Sequence, residues 1–129
     1  LHGAEVRLHD LTDDDLRKAL DRCRQGIALL TGVVSVGQER AASALAHIRS
    51  APSLEAAVDS AGIVVESVFE DLPLKLGLFR ELDRICPPHV LLASNTSTFM
   101  PSRLAQSVAH PERLLVTHYF NPPYLLPLV

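Results

Sequence analysis

The sequence has no tryptophan, only two cysteines and aromatic residues at just 5% of its 129 positions. Cys23 and Cys86 lack CxxC spacing and the density of a disulfide framework, so we expect reduced thiols packed on helices. No stretch has the length and apolarity of a membrane span, and none has the pattern of a signal peptide. These absences predict a cytoplasmic protein, or one of an organelle matrix after removal of a targeting segment.

The sequence also lacks a strong charge of either sign. Twelve Lys and Arg against fifteen Asp and Glu leave a net charge of −3, and the basic residues are scattered along the chain. This distribution argues against nucleic acid or a membrane surface as the partner. A hydrophobic content of 47% is enough for one soluble domain with a real core. We expect residues 1–129 to form one domain that acts on a small molecule.

Strand-like apolar runs alternate with helical patterns along the chain, which predicts an α/β fold with a doubly wound, mostly parallel sheet. The predicted strands cover 4–9, 49–52, 63–68, 90–94 and 114–116, and the predicted helices begin near Thr12, Ser35, Leu54, Asp71 and Pro101. The run at 63–68 is mostly apolar, which is typical of a strand buried on both faces, although Glu66 interrupts it.

Several helix starts carry capping signals. Thr12 precedes three aspartates, which suit the positively polarised first turn of a helix. Ser35 with Gln38 three residues later has the spacing of a capping box, and we expect Leu45 and Ile48 to be core positions of that helix. Ser53 is predicted to cap the next, shorter helix.

The last predicted strand ends beside His118. Leu114–Val116 is apolar, and Asn121-Pro122-Pro123 prevents the strand from continuing, since proline supplies no ladder N–H. Ligands bind at this carboxyl edge in open α/β sheets, and histidine takes and returns a proton near neutrality. The pattern favours a general base. The alternative is a core histidine bonded to a backbone carbonyl.

A second run, Val90–Ala93, leads into five small polar side chains at Ser94–Thr98. If the two strands are neighbours, Ser97 or Asn95 can hold a substrate oxygen near His118. A serine hydrolase is the rival interpretation of Ser97 and His118, but the sequence has no GxSxG elbow. No two of the six histidines have the spacing of a metal site, so we expect no metal.

Asp10 follows the first predicted strand. A dinucleotide-binding fold places an acid there to bind the adenine-side ribose hydroxyls, although an aspartate in this place is also a common turn or cap residue. Leu11, not an arginine, comes next, which favours NAD over NADP. The six glycines do not form the GxGxxG phosphate loop.

Three stretches together resemble the NAD-dependent 3-hydroxyacyl-CoA dehydrogenases, in their NAD-binding domain. They are Val65-Glu66-Ser67-Val68-Phe69-Glu70-Asp71-Leu72-Pro73-Leu74-Lys75, Leu92-Ala93-Ser94-Asn95-Thr96-Ser97 and His118-Tyr119-Phe120-Asn121-Pro122. The resemblance runs over essentially the whole chain. It implies a Rossmann-type fold, NAD as cofactor and oxidation of the 3-hydroxyl of a 3-hydroxyacyl-CoA, a reaction of fatty acid metabolism and β-oxidation.

The same resemblance implies a role for each site residue. His118 is the expected catalytic base, Ser97 the hydroxyl that contacts the substrate oxygen, and Asn95 a member of the cofactor and substrate pocket. Glu70 and Lys75 match positions on the nicotinamide-ribose and CoA side. Asn121 matches a substrate contact, and Asp10 matches the ribose acid.

The family pattern extends beyond both ends of this sequence. A glutamate that orients the histidine is expected after Val129, followed by a helical C-terminal domain that usually makes the dimer. The first strand and its glycine loop are expected before Leu1, at the centre of the sheet, so their absence would leave two apolar strand edges. We therefore expect a fragment that alone binds NAD weakly and turns nothing over.

The substrate branch has two candidates. Met100–Leu104, Asn121–Tyr124 and Pro127–Val129 are more similar to relatives acting on carnitine or L-gulonate, and to lambda-crystallin. Ser94–Ser97 and His118–Asn121 favour the acyl-CoA branch, which we prefer. The alternatives are a dehydrogenase of a non-CoA hydroxy acid and a non-catalytic, crystallin-like NAD-binding protein.

Overall fold

The structure, a computed structural model, describes residues 3–33, 37–123, 126 and 129. The chain divides into two compact units, Leu1–Ala57 and Val58–Val129. Each unit contains its own parallel sheet, with two strands in the first and three in the second among the described residues. Three predicted features, the cap at Ser35 and the stretches around Tyr124 and Pro127-Leu128, lie outside the described residues.

The first unit is a parallel strand pair with two helices between its strands in sequence. Strand β1 (Val6–Leu8) pairs in register with β2 (Ile48–Ser50), and helices α1 (Asp13–Val33) and α2 (Gln38–Ala46) connect them. The Thr12 hydroxyl accepts a hydrogen bond from Asp15 N at 3.1 Å. The predicted start of α1 is therefore confirmed.

The predicted start of α2 is wrong. The helix begins at Gln38, with Gly37 at its N-cap and no side-chain cap bond. Ile48 is not a helix core position either, because it pairs with Val6 in β2, and Ala41 is the buried residue of the helix. The helix ends at Ala46 with His47 as its C-cap, and the carbonyl of His47 accepts from Val6 N at 2.8 Å.

The second unit is a three-stranded parallel sheet of order β3-β4-β5. Its strands are β3 (Ile63–Glu66), β4 (Leu91–Ser94) and β5 (Leu114–Val116), and its helices α4 (Leu72–Ile85) and α5 (Pro101–Leu104) follow β3 and β4. The short helix α3 (Leu54–Val58) precedes this sheet in sequence, and Ser53 Oγ accepts from Ala56 N at 3.2 Å, as predicted for its cap. Strands and helices thus alternate as expected.

Strand β3 differs from its prediction. Ile63 is 48% and Val65 42% exposed, so the strand is not buried on both faces. The reason is its position, because among the described residues β3 pairs only with β4 and forms an edge. Strand β4 is the buried one, with Leu92 and Ala93 fully enclosed.

Helix α4 supplies much of the core of the second unit. Asp71 caps it by accepting from Leu74 N at 2.8 Å, Pro73 lies in its first turn, and Phe79 and Leu82 are buried. The predicted start of this helix near Asp71 is confirmed. In the described part of the chain, no helix is long and apolar enough to cross a membrane.

Candidate functional site

The carboxyl ends of β3, β4 and β5 lie side by side. Glu66 is in register with Ser94, and Ser94 with Val116. Two further backbone bonds continue this alignment, from Asn95 N to Glu66 O and from Thr117 N to Ser94 O, both 2.8 Å. The segments predicted to carry the chemistry therefore leave the sheet at one edge.

His118 lies two residues after β5 and is half-buried. Its ring packs against that of Phe120, with centroids 5.2 Å apart and planes at 49°. Among the residues that the structure describes, no group forms a hydrogen bond with this imidazole. Its nitrogens are available to a ligand, unlike those of a core histidine bonded to a carbonyl.

Ser97 and Asn95 differ in their surroundings, although both follow β4. Ser97 is exposed, and its hydroxyl has no partner in the described part of the chain. Asn95 is half-buried and uses both ends of its amide: Oδ1 accepts from Tyr119 N at 3.0 Å, and Nδ2 donates to Ser67 Oγ at 3.3 Å. Ser97 is thus free to bind a ligand oxygen, whereas Asn95 is already engaged within the protein.

Glu70 is held as a carboxylate at the same edge. The hydroxyls of Thr96 and Thr98 donate to its Oε1, the latter at 2.6 Å, and Thr98 N donates at 3.2 Å. These hydroxyl bonds, together with Lys75, lower the pKa of Glu70 to about 2. The side chain remains 37% exposed, so an ionised acceptor faces outward.

Lys75 lies behind Glu70 and is only 1% exposed. Its ammonium contacts Glu66 Oε1 at 2.6 Å, Val68 O at 3.2 Å and Glu70 Oε2 at 3.3 Å. An ammonium has three N–H donors, and three partners surround this one. Lys75 is therefore buried, and it is linked to the exposed edge of the sheet by its ion pair with Glu70.

Glu66, which interrupts the apolar run of β3, has a structural role that the sequence did not predict. It is buried, and besides Lys75 it accepts from Ser94 Oγ at 2.6 Å and from Val68 N at 2.7 Å. A charge inside an apolar run must find partners, because burying it alone is costly. That rule predicts a buried partner for Glu66, although not which one.

The other predicted residues lie at exposed positions. Asp10 belongs to the first unit, two residues after β1, and its Oδ1 accepts from Leu11 N at 2.7 Å. Asn121 follows His118 in the second unit. Among the described residues, no three His, Cys, Asp or Glu side chains form a group that could hold a metal ion.

The residues present fit a dinucleotide. Its riboses offer hydroxyl donors, which call for carboxylate acceptors at the carboxyl ends of parallel strands. The second unit supplies one, the ionised Glu70 after β3. The hydroxyl of Ser97 and the imidazole of His118 remain for a substrate.

Comparison with known proteins identifies the family of this chain. The model of the 3-hydroxyacyl-CoA dehydrogenase NAD-binding domain matches residues 1–129, the whole chain. The chain belongs to the 3-hydroxyacyl-CoA dehydrogenase family. The predictions of the family, the Rossmann-type fold and NAD as cofactor are confirmed.

Members of several branches of the family are similar to the chain. The lambda-crystallin homolog of Homo sapiens is 38% identical over 128 residues, which cover 98% of this chain and 40% of that protein. The L-carnitine dehydrogenase/betainyl-CoA thioesterase of Rhizobium meliloti is 47% identical over 77 residues, 60% of this chain and 16% of that protein.

A solved structure, 3-hydroxybutyryl-CoA dehydrogenase from Escherichia coli, superposes with a TM-score of 0.87 at 30% identity. The alignment covers 95% of this chain and 26% of that one. This chain thus spans about two fifths of the length of the human relative and a smaller share of the bacterial structure. It corresponds to the NAD-binding part of larger proteins.

Proposed function

We propose that the protein is an NAD-dependent dehydrogenase that oxidises the 3-hydroxyl of a 3-hydroxyacyl-CoA, with His118 as the general base. The observation that carries the proposal is the placement of His118. Its imidazole, to which no described residue forms a hydrogen bond, lies at the sheet edge that also bears the ionised carboxylate of Glu70. A proton acceptor and an acceptor for a cofactor hydroxyl thus share one edge of the second unit.

The proposed chemistry divides between the cofactor and this chain. When bound, NAD supplies the acceptor for the hydride that leaves the carbinol carbon. A neutral ring nitrogen of His118 takes the proton of the substrate hydroxyl, so the oxygen becomes a carbonyl as the C–H bond breaks. In the reverse direction, the same nitrogen returns the proton. The hydroxyl of Ser97 donates a hydrogen bond to the reacting oxygen and fixes its position.

Two carboxylates hold the cofactor in this proposal. Asp10 accepts from the adenine-side ribose hydroxyls, and Glu70 accepts on the nicotinamide side. Because Glu70 stays ionised down to about pH 2, its acceptor role is independent of pH in the working range. Lys75 contributes by balancing the charge of Glu70, and Asn121 lies on the substrate side.

Similarity to the Escherichia coli 3-hydroxybutyryl-CoA dehydrogenase supports an acyl-CoA substrate. The motifs at Ser94–Ser97 and His118–Asn121 favour the same branch. The second candidate is a non-CoA hydroxy acid such as carnitine or L-gulonate, supported by the 47% identity to the carnitine enzyme over 77 residues. A non-catalytic, crystallin-like NAD-binding protein is the third, supported by the 38% identity to the human lambda-crystallin homolog.

The remaining proposals concern the protein as a whole. The sequence predicts a cytoplasmic homodimer in its full-length form. Gel filtration of the full-length protein with light scattering tests the dimer, and fractionation of the source cells tests the location.

A spectrophotometric assay of the full-length protein separates the substrates. NADH oxidation with acetoacetyl-CoA is compared with NAD reduction by carnitine and by L-gulonate. We expect kcat/KM to be highest with acetoacetyl-CoA. Preference for carnitine or L-gulonate would select the second candidate, and NADH binding without turnover of any of the three would favour the crystallin-like protein.

A further inference from the structure

Asn95 connects the segments that follow all three strands of the second unit. Its backbone N–H donates to Glu66 O at 2.8 Å, at the end of β3. Its side-chain Nδ2 donates to Ser67 Oγ in the same segment, and Oδ1 accepts from Tyr119 N after β5. Asn95, which directly follows β4, is thus hydrogen-bonded to the neighbouring segments on both sides of this strand.

The orientation of this amide is determined by its partners. Oxygen and nitrogen of an asparagine amide are usually assigned from their hydrogen bonds. The Tyr119 N–H can only donate, so the atom opposite it, 3.0 Å away, must be Oδ1. Nδ2 then points to Ser67 Oγ. Both ends of the amide are engaged before any substrate binds.

His118 lies between two bonds to the β4 segment. A backbone bond just after β5 joins Thr117 N to Ser94 O at 2.8 Å, and the next bond along the described chain joins Tyr119 N to Asn95 Oδ1. Strand pairing has ended at Val116, so these two bonds fix the backbone on either side of the histidine. Only the second depends on a side chain.

We propose that Asn95 is a positioning residue that fixes the backbone of His118 through Tyr119 N and does not itself bind the substrate oxygen. This inference rests on the proposed function, because it gives His118 the role of base. Proton transfer requires heavy atoms within about 2.6–3.2 Å, and an error of about 1 Å in placement can cost on the order of 10²-fold in rate. Releasing Tyr119 N therefore slows turnover without weakening cofactor binding.

Two substitutions in the full-length protein separate positioning from direct contact. Asn95→Leu removes both polar ends at similar size, whereas Asn95→Asp keeps an oxygen to accept from Tyr119 N. We expect kcat to fall about 10²-fold in Asn95→Leu and about tenfold or less in Asn95→Asp, with NADH affinity, from fluorescence titration, within about twofold of wild type in both. His89→Ala, at the opposite end of β4, is the control.

Two results would overturn the inference. If the amide N–H binds the substrate oxygen, Asn95→Asp loses that donor and adds a negative charge, so it would be at least as slow as Asn95→Leu and raise KM. If the bond is merely structural, Asn95→Leu would lower the melting temperature and leave kcat per folded molecule unchanged.

A double-mutant cycle separates this inference from the proposed function. If Asn95 acts only through His118, adding Asn95→Leu to His118→Ala causes no further loss of kcat. Multiplying losses would refute the positioning role and leave His118 as the base. Full turnover in His118→Ala alone would refute the proposed function, and with it the inference.

Discussion

Lys75 Nζ lies 2.6 Å from Glu66 Oε1, and both side chains are buried, at 1% and 0% exposure. This ion pair joins helix α4 to Glu66, the last residue of β3. Glu66 has further donors in Ser94 Oγ and Val68 N, so the pair is well satisfied. The pair also explains how a lysine can lie in the core of the second unit.

Removing one member of this pair should destabilise the fold strongly. We expect Lys75→Met to lower the free energy of unfolding by about 3–5 kcal/mol, because it leaves the buried carboxylate of Glu66 without its cation. The double variant Glu66→Gln/Lys75→Met should recover part of the loss. Urea unfolding of the full-length protein measures both, with Arg80→Met, an exposed position of α4, as control. A loss in Lys75→Met as small as in the control would contradict the account.

The carboxylate of Glu70 should respond to its threonine partners. Its folded pKa is lowered to about 2, first by the Thr96 hydroxyl and then by Thr98. Ionised Glu70 therefore stabilises the fold above the ordinary glutamate value of about 4.3, and this contribution is lost as the pH falls from there toward 2. In Thr96→Val the pKa should rise toward its ordinary value.

Carboxyl-carbon NMR titration of Glu70 measures that midpoint directly. Thr31→Val is the matched control, because its hydroxyl bonds the carbonyl of Ala28 in α1 and no carboxylate. An unchanged Glu70 midpoint in Thr96→Val would show that the threonine does not hold the charge.

The hydroxyl of Thr117, next to His118, differs from the bonded hydroxyls of Thr96 and Thr98. Its buried Oγ1 has no hydrogen-bond partner among the described residues. A buried hydroxyl without a partner costs about 1–3 kcal/mol, so Thr117→Val should raise the free energy of unfolding by about 1 kcal/mol. Thr31→Val, which loses a bonded hydroxyl, should show no gain. A loss of stability in Thr117→Val would mean that this hydroxyl has a partner in the protein.

Arg113 connects the end of α4 to the start of β5. It is 3% exposed, and its guanidinium donates to Asp83 Oδ1 at 2.7 Å and to the carbonyls of Asp83 and Pro87. Lysine cannot reproduce this fork of donors, so we expect Arg113→Lys to lose about 3 kcal/mol of stability. Arg103→Lys, at an exposed position of α5, is the control. Equal unfolding midpoints for the two variants would contradict a stabilising role of the Arg113 hydrogen bonds.

Burial acts to raise the pKa of Asp83, but the bonds from Arg113 and Ala109 N outweigh it and lower that pKa. Asp83 thus stabilises the fold above its unfolded pKa, and the contribution is lost as the pH falls through the folded value. Weakening the Arg113 bonds should raise the folded pKa of Asp83, which narrows the pH interval between its folded and unfolded values.

The features that the sequence predicted best depend on neighbours in the chain. Helices α1 and α4 begin where predicted, because Thr12 and Asp71 each accept a hydrogen bond from the backbone N–H three residues further on, and such local chemistry is visible in the sequence. The polar edge at Ser94–Thr98 and His118 was predictable for a related reason, since parallel strands bring their carboxyl ends together.

The features that it missed depend on distant partners. Glu66 is bonded to Ser94, 28 residues away, and Glu70 to Thr96, 26 residues away. No periodicity specifies such pairs, so the enclosure of Lys75 between Glu66 and Glu70 could not be predicted from the sequence. The exposure of Val65 likewise depends on which strands pair with β3, and a strand's composition does not contain that information.

The central claim, that His118 is the general base, is tested most directly by kcat of the full-length His118→Ala variant with acetoacetyl-CoA and NADH. The account predicts a fall of about 10²- to 10⁴-fold with NADH affinity retained, while His89→Ala keeps wild-type turnover. A His118→Ala enzyme that turns over within a few-fold of wild type would contradict it.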